Sequence, residues 1–524
     1  MLLINNINLS LDTNFDELTP YIAKELKTAS DNIIRCQLYR KSVDARKRSD
    51  VHFCCSVLVE AKNEDKLIKS CKNASIYTPK TYEWQKCKTS TKNRPIIVGF
   101  GPAGMFCALT LARAGLNPIV LERGSCVEKR TEKIEQFFSG GQLDTERNVL
   151  FGEGGAGTFS DGKLTTGIKN PRCRVVIEEF HKKGANERIL TDAKPHIGTD
   201  VLVNVVRNIR NEIISLGGKI LFDTKLEDLI IENSVLQGVI ANGKEIKCDN
   251  LILATGHSAR DTYKMLKDKG TKMEQKPFAV GVRIEHLQSD IDKSLYGEFH
   301  NHPNLMPADY KLACHLENGR GVYTFCMCPG GEVINSSSEK GGIAVNGMSK
   351  SLRDGVNANS ALLVGVETSD FGSDDVLAGC EFQEKIEQAA FNFNNGKVPV
   401  NTVGSFIYGK DFKITKVKPT VKPDFEYCDF NHIFPKFVTE SLKMGIKEFG
   451  KKIKGFDDES AILTAPETRS SAPVRIIRDA NFQSNLTGIF PCGEGAGYAG
   501  GIVSAAVDGM CVAEEIITRL NIDL

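Results

Sequence analysis

The chain of 524 residues lacks an excess of charge of either sign, because 67 Lys and Arg residues are balanced by 66 Asp and Glu residues. A net charge of +1 creates no overall field that would recruit nucleic acid or an anionic membrane. The first residues also lack the cationic region and small-residue cleavage site of a secretory signal. The 16 cysteines are therefore expected to be reduced thiols in a cytoplasmic protein.

An uninterrupted apolar run of membrane-spanning length is also lacking. Residues 95–112 are uncharged and largely apolar, but Gly99, Gly101, Pro102 and Gly104 interrupt them. No transmembrane segment is predicted. The length of the chain instead predicts more than one domain.

Residues 1–90 are predicted to form a small ferredoxin-like α+β domain, since strand-like segments alternate with helical ones. Basic residues are concentrated between two of the strands, which raises RNA binding as an alternative; they are Arg40, Lys41, Arg46, Lys47 and Arg48. The neighbouring strands lack the aromatic set needed for base stacking. A solvated loop is therefore favoured, and no nucleic-acid partner is expected.

Residues 94–122 have the pattern strand, glycine-rich turn, helix, strand and terminal acid, which is typical of a dinucleotide-binding βαβ unit. Gly99 permits the tight turn, Gly101 lets the backbone approach a pyrophosphate, and Gly104 lets the helix pack closely on the strand. The free N–H groups at the start of the helix would face the phosphates. Glu122 is expected to accept hydrogen bonds from ribose hydroxyls, which favours FAD or NAD over NADP.

Residues 152–157 also spell GxGxxG, but no apolar helix and second strand follow, so a second nucleotide site is not predicted there. The loop 152–164, with Ser160 and Lys163, is instead expected to pass beside the ribityl chain or ring of a flavin. Arg130, in the predicted helix 127–138, is a candidate partner of the pyrophosphate or, alternatively, a surface charge.

Two later segments narrow the cofactor to FAD. A predicted meander over residues 229–247 precedes a buried strand that ends at residues 254–256, an arrangement that distinguishes FAD-binding from plain NAD-binding folds. A further strand ends at residues 493–494 before the final helix. Glu494 is expected to hold a ribityl hydroxyl or the phosphates, and the positive end of that helix should face the flavin's N1/O2 edge.

The predicted fold is α/β. It comprises an FAD-binding Rossmann-type core, with a parallel sheet and a β-meander, an inserted mixed α+β substrate domain, and the N-terminal ferredoxin-like domain. The predicted bounds are 1–90, 91–260, 261–465 and 466–524, where the last segment returns to the FAD-binding core. The polar residues 86–93 are predicted to be a linker.

Six motifs together cover the chain from about residue 94 to its end: FGEGGAGTFSDGKL, FAVGVRIEH, TFCMCPGGEV, NGMS with NANSALLV, ETRSSAPVRI and GEGAGYAGGIVSAAVDG. In these motifs the chain resembles the bacterial FAD-dependent dehydrogenases, also called NAD(FAD)-utilising dehydrogenases, a branch of the single-Rossmann flavoprotein oxidoreductases. The resemblance implies FAD and leaves the substrate open. One departure is Ala472, where the family is expected to have serine or threonine.

The residues predicted to bind the cofactor are Gly99, Gly101, Pro102, Ala103, Gly104, Glu122, Arg123, Arg130, Gly157, Thr158, Ser160, Lys163, Leu164, Ala254, Thr255, Gly256, Gly493, Glu494, Gly495, Gly500, Gly501 and Ile502.

Catalytic residues are less well defined by the sequence. Cys326 and Cys328 have three possible roles: a redox pair near the flavin, half of a metal site, or packed cysteines. Since no second Cys pair lies at ligand spacing, no metal is expected. The candidates to clamp an anionic substrate, with structural salt bridges as the alternative, are Arg283, Arg469 and Arg475. His257 is an acid–base candidate or a turn cap, and Tyr498 stacks on the flavin or packs beside it.

Three functions stay open. The first is an FAD-dependent oxidoreductase that exchanges hydride between flavin N5 and an unidentified small organic substrate. The second is a flavin-binding redox sensor or interaction protein, and the third is an isoprenoid or lipid double-bond reductase. Because a second βαβ unit is lacking, NAD(P)H is expected only as a transient reductant in the substrate cleft. The sequence makes no prediction of the oligomeric state.

Overall fold

A computed structural model describes residues 1–79, 81–89 and 92–522. Its N-terminal unit is a four-stranded antiparallel sheet of order β2-β3-β1-β4 with two helices, which is the ferredoxin-like βαββαβ topology. This confirms the predicted N-terminal fold and adds a fourth strand. The elements are β1 (Leu2–Leu9), α1 (Thr19–Leu26), β2 (Ile33–Asp44), β3 (His52–Ala61), α2 (Glu64–Ser70) and β4 (Ala74–Ile76).

The basic segment of this unit was predicted to be a solvated loop. This is wrong for Arg40 and Lys41, which lie within β2. Lys41 exchanges backbone hydrogen bonds with Thr191 (2.8 Å) and Ala193 (2.8 Å), which docks the sheet on the rest of the chain. Its ammonium group lies 3.7 Å from the carboxylate of Asp192. The predicted linker spans residues 86–93, and the predicted domain boundary lies between residues 90 and 91. Both of these residues lie outside the described residues.

The core is a five-stranded parallel sheet of order β23-β11-β5-β6-β7. The residues of its central strand are all buried, as expected for a parallel sheet that helices cover on both faces. The elements up to residue 268 are β5 (Ile96–Val98), α3 (Pro102–Arg113), β6 (Ile119–Leu121), α4 (Val127–Phe138), α5 (Arg172–Lys182), α6 (Thr199–Ser215), β7 (Lys219–Leu221), β8 (Leu226–Glu232), β9 (Val235–Ala241), β10 (Lys244–Lys247), β11 (Leu251–Leu253) and α7 (Arg260–Asp268).

The predicted meander is confirmed as the antiparallel sheet β8-β9-β10. Asn233 and Ser234 turn the chain between its first two strands with φ of 50° and 63°, and Asn242 and Gly243 do so between the next two with φ of 46° and 71°. Positive φ at both central residues matches the twist of the flanking strands. The meander therefore follows from local turn chemistry.

The inserted region is built on a seven-stranded sheet of order β14-β15-β18-β13-β21-β19-β20, antiparallel except between β19 and β20. Its elements are β12 (Met273–Gln275), β13 (Phe278–Leu287), α8 (Gln288–Tyr296), β14 (Ala313–His315), β15 (Gly321–Cys328), β16 (Glu332–Asn335), β17 (Val345–Met348), β18 (Asn357–Val366), α9 (Ala378–Phe393), β19 (Val398–Thr402), α10 (Val403–Tyr408), β20 (Phe425–Tyr427), α11 (Lys436–Lys452) and β21 (Ile462–Glu467).

The last segment returns to the core with β22 (Val474–Ile476), β23 (Ile489–Pro491) and α12 (Ile502–Ile522). Strand β22 pairs with β12, and β23 completes the edge of the parallel sheet beside β11. Helix α12 crosses α3 so closely that a Cβ at Gly509 would lie 2.1 Å from the carbonyl oxygen of Ala103. Among the described residues, no helix combines the length and the apolar character needed to cross a membrane.

Candidate functional site

A cavity of about 1000 Å³ lies between the core and the inserted sheet. One wall is formed where β5, β6 and β11 end, and the opposite wall includes the ends of β15 and β21. In open α/β folds, ligands bind at the carboxyl ends of the parallel strands. The volume is at the upper end of the range for small-molecule pockets, which leaves room for a large cofactor.

The floor of the cavity is bare backbone. Gly99 has a φ of +95°, and a Cβ there would lie 2.3 Å from the carbonyl oxygen of Ala254. Gly155 has a φ of +60°, and its Cβ would lie 3.0 Å from the Cα of Gly101. The two glycine-rich loops therefore meet at positions that side chains would block.

Two helix N-termini face this cavity. Helix α3 has Gly101 as its N-cap, so no side chain satisfies the amides of its first turn. Gly500 and Gly501 precede α12, and a Cβ at either would meet no atom within 4 Å. The partial positive charge at both helix ends can therefore stabilise negative charge on a ligand.

The carboxylate of Glu122 lies on the cavity wall at the end of β6 and is only 4% exposed. Its Oε2 accepts a hydrogen bond from the amide of Phe100 (2.8 Å), and its Oε1 accepts from the amides of Gly124 and Gly152 (both 2.9 Å). A carboxylate has about four acceptor positions, so Oε2 retains one for a ligand hydroxyl. Glu122 thus also anchors the loop that carries Gly152, a role that the sequence did not indicate.

Arg130 does not serve the predicted role. Its fully buried guanidinium donates to the carbonyl oxygens of Asn148 (2.8 Å), Val149 (2.7 Å), Gly152 (3.3 Å) and Glu153 (2.7 Å). Four of its five N–H donors are used in this way, and Arg130 does not line the cavity, so the structure does not support contact with a pyrophosphate. Arg130 instead fixes the backbone of the loop that leads to Gly155.

The remaining predicted cofactor residues fall into those that line the cavity and those that lie behind its wall. Thr158 donates to the carbonyl oxygen of Glu153 (3.3 Å), and Leu164 packs in the core, so both shape the loop from behind rather than contact a ligand as predicted. The predicted residues that lie behind the cavity wall are Gly104, Arg130, Thr158, Leu164, Gly493 and Gly495; the others line it.

Two family models cover most of the chain. Residues 93–277 match "Pyridine nucleotide-disulphide oxidoreductase", and residues 277–470 match "FAD-dependent protein, C-terminal domain-like". Residues 1–60 match a domain of unknown function. A protein of Clostridium beijerinckii, named "Uncharacterized protein", is 49% identical over 527 residues and covers 99% of both chains. The chain belongs to this family of FAD-dependent proteins. FAD is its cofactor.

Among solved structures, similarity extends to glycine oxidase from Bacillus cereus, with 11% identity, a TM-score of 0.30 and coverage of 82% of this chain and 98% of that chain. L-proline dehydrogenase from P. horikoshii has 13% identity and a TM-score of 0.32, with coverage of 82% and 95%. At these scores neither structure informs the function of the FAD-dependent protein.

The residues of the cavity fit FAD. The floor at Gly101 and Gly155 lets a ligand reach the backbone, and two helix N-termini suit a pyrophosphate and an electron-rich ring edge. Oε2 of Glu122 has an acceptor position that suits a ribose hydroxyl. Lys163 Nζ and His257 Nδ1 are buried and have no hydrogen-bond partner among the described residues. Both atoms can therefore form hydrogen bonds with a ligand.

Glu494 and His257 form an acid–base pair on the cavity wall, with Glu494 Oε1 and His257 Nε2 3.8 Å apart. Burial raises the pKa of Glu494 to about 7, although the charge of Lys276 opposes the rise. Burial, together with the charges of Arg469 and Arg260, lowers the pKa of His257 to about 4. Near neutral pH, Glu494 can therefore hold or release a proton while His257 stays neutral.

The predicted arginine clamps are engaged elsewhere. Arg283 is fully buried and binds Glu467 (Nε to Oε2, 2.5 Å), Asn359 (2.8 Å) and Asn346 (2.9 Å). Arg469 binds Glu387 (2.8 Å) and Ser338 (2.6 Å) and is 7% exposed. Arg283 does not line the cavity, so direct capture of a substrate anion by Arg283 is not supported; Arg469 lines the cavity with a guanidinium that is already paired, and its contact with a substrate stays a prediction.

Arg475 follows the salt-bridge alternative, and stacking of Tyr498 on the flavin stays a prediction. Arg475 is paired with Glu274 (3.5 Å) and lies 5.4 Å from the centre of the Tyr498 ring. Arg478 lies 3.7 Å from the same ring centre. Tyr498 lines the cavity, but its stacking partners in this structure are these two cations.

Cys328 was the catalytic candidate of the two thiols predicted from the sequence, but only Cys326 lines the cavity, so Cys328 cannot contact a ligand there. Strand β15 changes register against β18 between Phe325 and Cys328, and Cys326 has a φ of 43°. Cys328 lies behind it and is fully buried. Alternation along a regular strand, assumed from the sequence, does not hold at this bulge.

Proposed function

We propose that the protein is an oxidoreductase that exchanges hydride between flavin N5 and a small polar organic substrate. Bound FAD supplies the hydride chemistry, and the protein supplies orientation, proton transfer and exclusion of water. The observation that carries this proposal is the continuity of the cavity, which runs from Gly99 and Glu122 to Glu494 and Glu467 without a dividing wall. A cofactor held at one end therefore reaches ionisable groups at the other.

Each part of the cavity then has a role. The N-terminus of α3 would hold the pyrophosphate of FAD, and Glu122 would accept from the adenosine ribose. The N-terminus of α12 would stabilise negative charge at the flavin's N1/O2 edge. The loop with Ser160 and Lys163 would hold the ribityl chain. The reacting end lies between this loop, the inserted sheet and α12.

Glu494 is the proton carrier that we assign to the reaction. In its protonated form, Glu494 Oε1 donates to a developing anion on the substrate; in its ionised form, it accepts a proton from a substrate hydroxyl or amine. His257 Nε2 lies 3.8 Å from Glu494 Oε1 and, because its pKa is lowered, places no positive charge beside the carboxyl group near neutral pH. A carboxyl with a pKa near the working pH is suited to both directions of transfer.

The wall at the reacting end favours a polar substrate over an isoprenoid or lipid. It includes Asp161, Lys163, Asn346 and Glu467. An apolar chain placed against Lys163 Nζ, which has no hydrogen-bond partner among the described residues, would leave this ammonium group unpaired, which is costly. NAD(P)H is proposed only as a transient reductant in the same space.

The test is anaerobic mixing of the FAD-loaded protein with NADH, NADPH and a panel of polar metabolites while the flavin absorbance is followed. Bleaching by one class of compound is expected, with a rate that changes near pH 7. In Glu494→Gln this pH dependence should disappear, whereas Glu274→Gln, which alters a half-exposed carboxylate, should keep it. A flavin that no donor reduces, or an unchanged pH profile in Glu494→Gln, would contradict the proposal.

A further inference from the structure

Cys326 and Cys328 are placed as an outer and an inner thiol. Cys326 is half-buried and lines the cavity, while Cys328 is fully buried directly behind it. An extended strand would hold Cα atoms two residues apart at about 6.6 Å, close to the upper limit for a disulfide. The left-handed conformation of Cys326, with φ of 43°, departs from this extended geometry, and Cys328 Sγ lies 3.3 Å from the carbonyl oxygen of Cys326.

Two cations, Arg283 and Lys163, lie beside this pair together with the carboxylates of Glu467, which Arg283 binds, and of Asp161 and Glu494. Arg283 Nη1 donates to the carbonyl oxygen of Cys326 (2.9 Å) and lies 3.8 Å from Cys328 Sγ. Lys163 Nζ is buried and makes no hydrogen bond within the described residues. Its nearest carboxylate is that of Asp161, at 3.5 Å, and both oxygens of Asp161 already accept from Arg353. Lys163 therefore has donors to spare for an anion in the cavity.

The two thiols differ in ionisation. A hydrogen bond from Cys328, together with the charges of Lys163 and Arg283, lowers the pKa of Cys326, against the effect of burial. The same hydrogen bond and burial raise the pKa of Cys328. Cys328 Sγ donates its proton to the carbonyl oxygen of Cys326, so the buried sulfur stays a thiol and the sulfur that lines the cavity is the more readily ionised of the two. This is the difference between an attacking and a resolving thiol.

We propose that Cys326 and Cys328 form a dithiol centre that reduces a small disulfide entering the cavity. The Cys326 thiolate attacks one sulfur of the disulfide, the S–S bond breaks, and the first thiolate leaves with the electron pair. That thiolate takes the proton of Cys328, whose sulfur then attacks Cys326 Sγ and releases the second thiolate. The dithiol loses two electrons, the substrate gains them, and one thiol and one thiolate are released.

Return of the centre to the dithiol form requires a two-electron reductant. In the proposed function this reductant is the reduced flavin, so only the return step depends on the proposed function. The exchange itself needs no flavin chemistry. A protein that never reduces its flavin would still react with a disulfide. The two proposals can therefore fail separately.

The first test uses oxidised glutathione as the probe. Reduced holoprotein is incubated with it, free thiols are blocked with iodoacetamide, and peptides are analysed by mass spectrometry. The wild type should contain a Cys326–Cys328 disulfide, Cys328→Ser should carry one glutathione on Cys326, and Cys326→Ser should carry none at residue 328. A stable glutathione adduct at Cys326 in the wild type, or adducts spread equally over other half-buried cysteines, would overturn the proposal.

The second test needs no substitution and is therefore independent of folding defects. The rate of iodoacetamide labelling at Cys326 should be nearly constant from pH 6 to 8. Cys314, a half-buried thiol on β14 whose pKa is raised by burial, should react about tenfold faster for each pH unit. If Cys326 follows the same slope as Cys314, the thiolate assignment is wrong. Lys163→Met should steepen the Cys326 profile and Lys163→Arg should restore it; equal profiles would remove Lys163 from the centre.

Discussion

Replacing Glu122 with glutamine tests how the core holds its two glycine-rich loops. The substitution keeps the shape of the side chain but exchanges one acceptor oxygen for an NH₂ group. Glutamine can turn its oxygen toward Gly124 and Gly152, which leaves the amide of Phe100 facing a donor. If it turns the other way, two amides lose their acceptor, so the first orientation should prevail.

The cost follows from these contacts. One buried amide without an acceptor costs about 1–3 kcal/mol, and the two remaining hydrogen bonds each weaken by about 1 kcal/mol when the acceptor loses its charge. The sum is about 3–5 kcal/mol in the free energy of unfolding. For a unit of about 150–250 residues, 1 kcal/mol corresponds to about 2–4 °C, so the melting temperature should fall by roughly 6–20 °C.

Thermal unfolding of the FAD-free protein measures this effect without a contribution from cofactor binding. Glu132→Gln, on the exposed face of α4, is the matched control and should melt like the wild type. A Glu122→Gln melting temperature within about 2 °C of the wild type would refute the reasoning, since it would mean that the three amides do not depend on the carboxylate.

Three further outcomes are expected. Gly155→Ala should weaken FAD binding by about tenfold or more in equilibrium titration, whereas Gly140→Ala, which has a positive φ but open space, should not. Arg130→Met should lower the free energy of unfolding by at least about 3 kcal/mol in denaturant titration, because several buried carbonyls lose their donor. Burial lowers the pKa of His196 to about 4. Between about pH 6.5 and 4, His196 is therefore protonated in the unfolded state but neutral in the folded state. Stability should therefore fall on acidification through that window, by about 2 kcal/mol at pH 5, and less in His196→Gln.

The fold was predictable where local chemistry decides it. The turn at Gly99, the meander and the acid at the end of β6 each follow from residues that are close in sequence. The same holds for the ferredoxin-like unit, whose strands alternate between buried and exposed positions. These features require no knowledge of distant partners.

The roles of charged residues were not predictable in this way. Arg130, Arg283 and Arg469 look alike as candidates for an anion, but each is buried against partners that folding brings together. Glu467 is separated from Arg283 by 184 positions. Cys326 and Cys328 show the same limit at short range, because the bulge that separates their environments is a response to the pairing of β15 with β18.

The order of strands in the parallel sheet has a consequence for synthesis on the ribosome. Strand β11 ends at Leu253, but its neighbour β23 begins only at Ile489. At about 5–20 residues per second, roughly 12 to 50 seconds pass between them. During that time the nascent core has an unpaired apolar edge and lacks α12. The cavity wall at Gly500 and Gly501 is therefore completed only when the last residues leave the ribosome, and chains that stop early lack this wall.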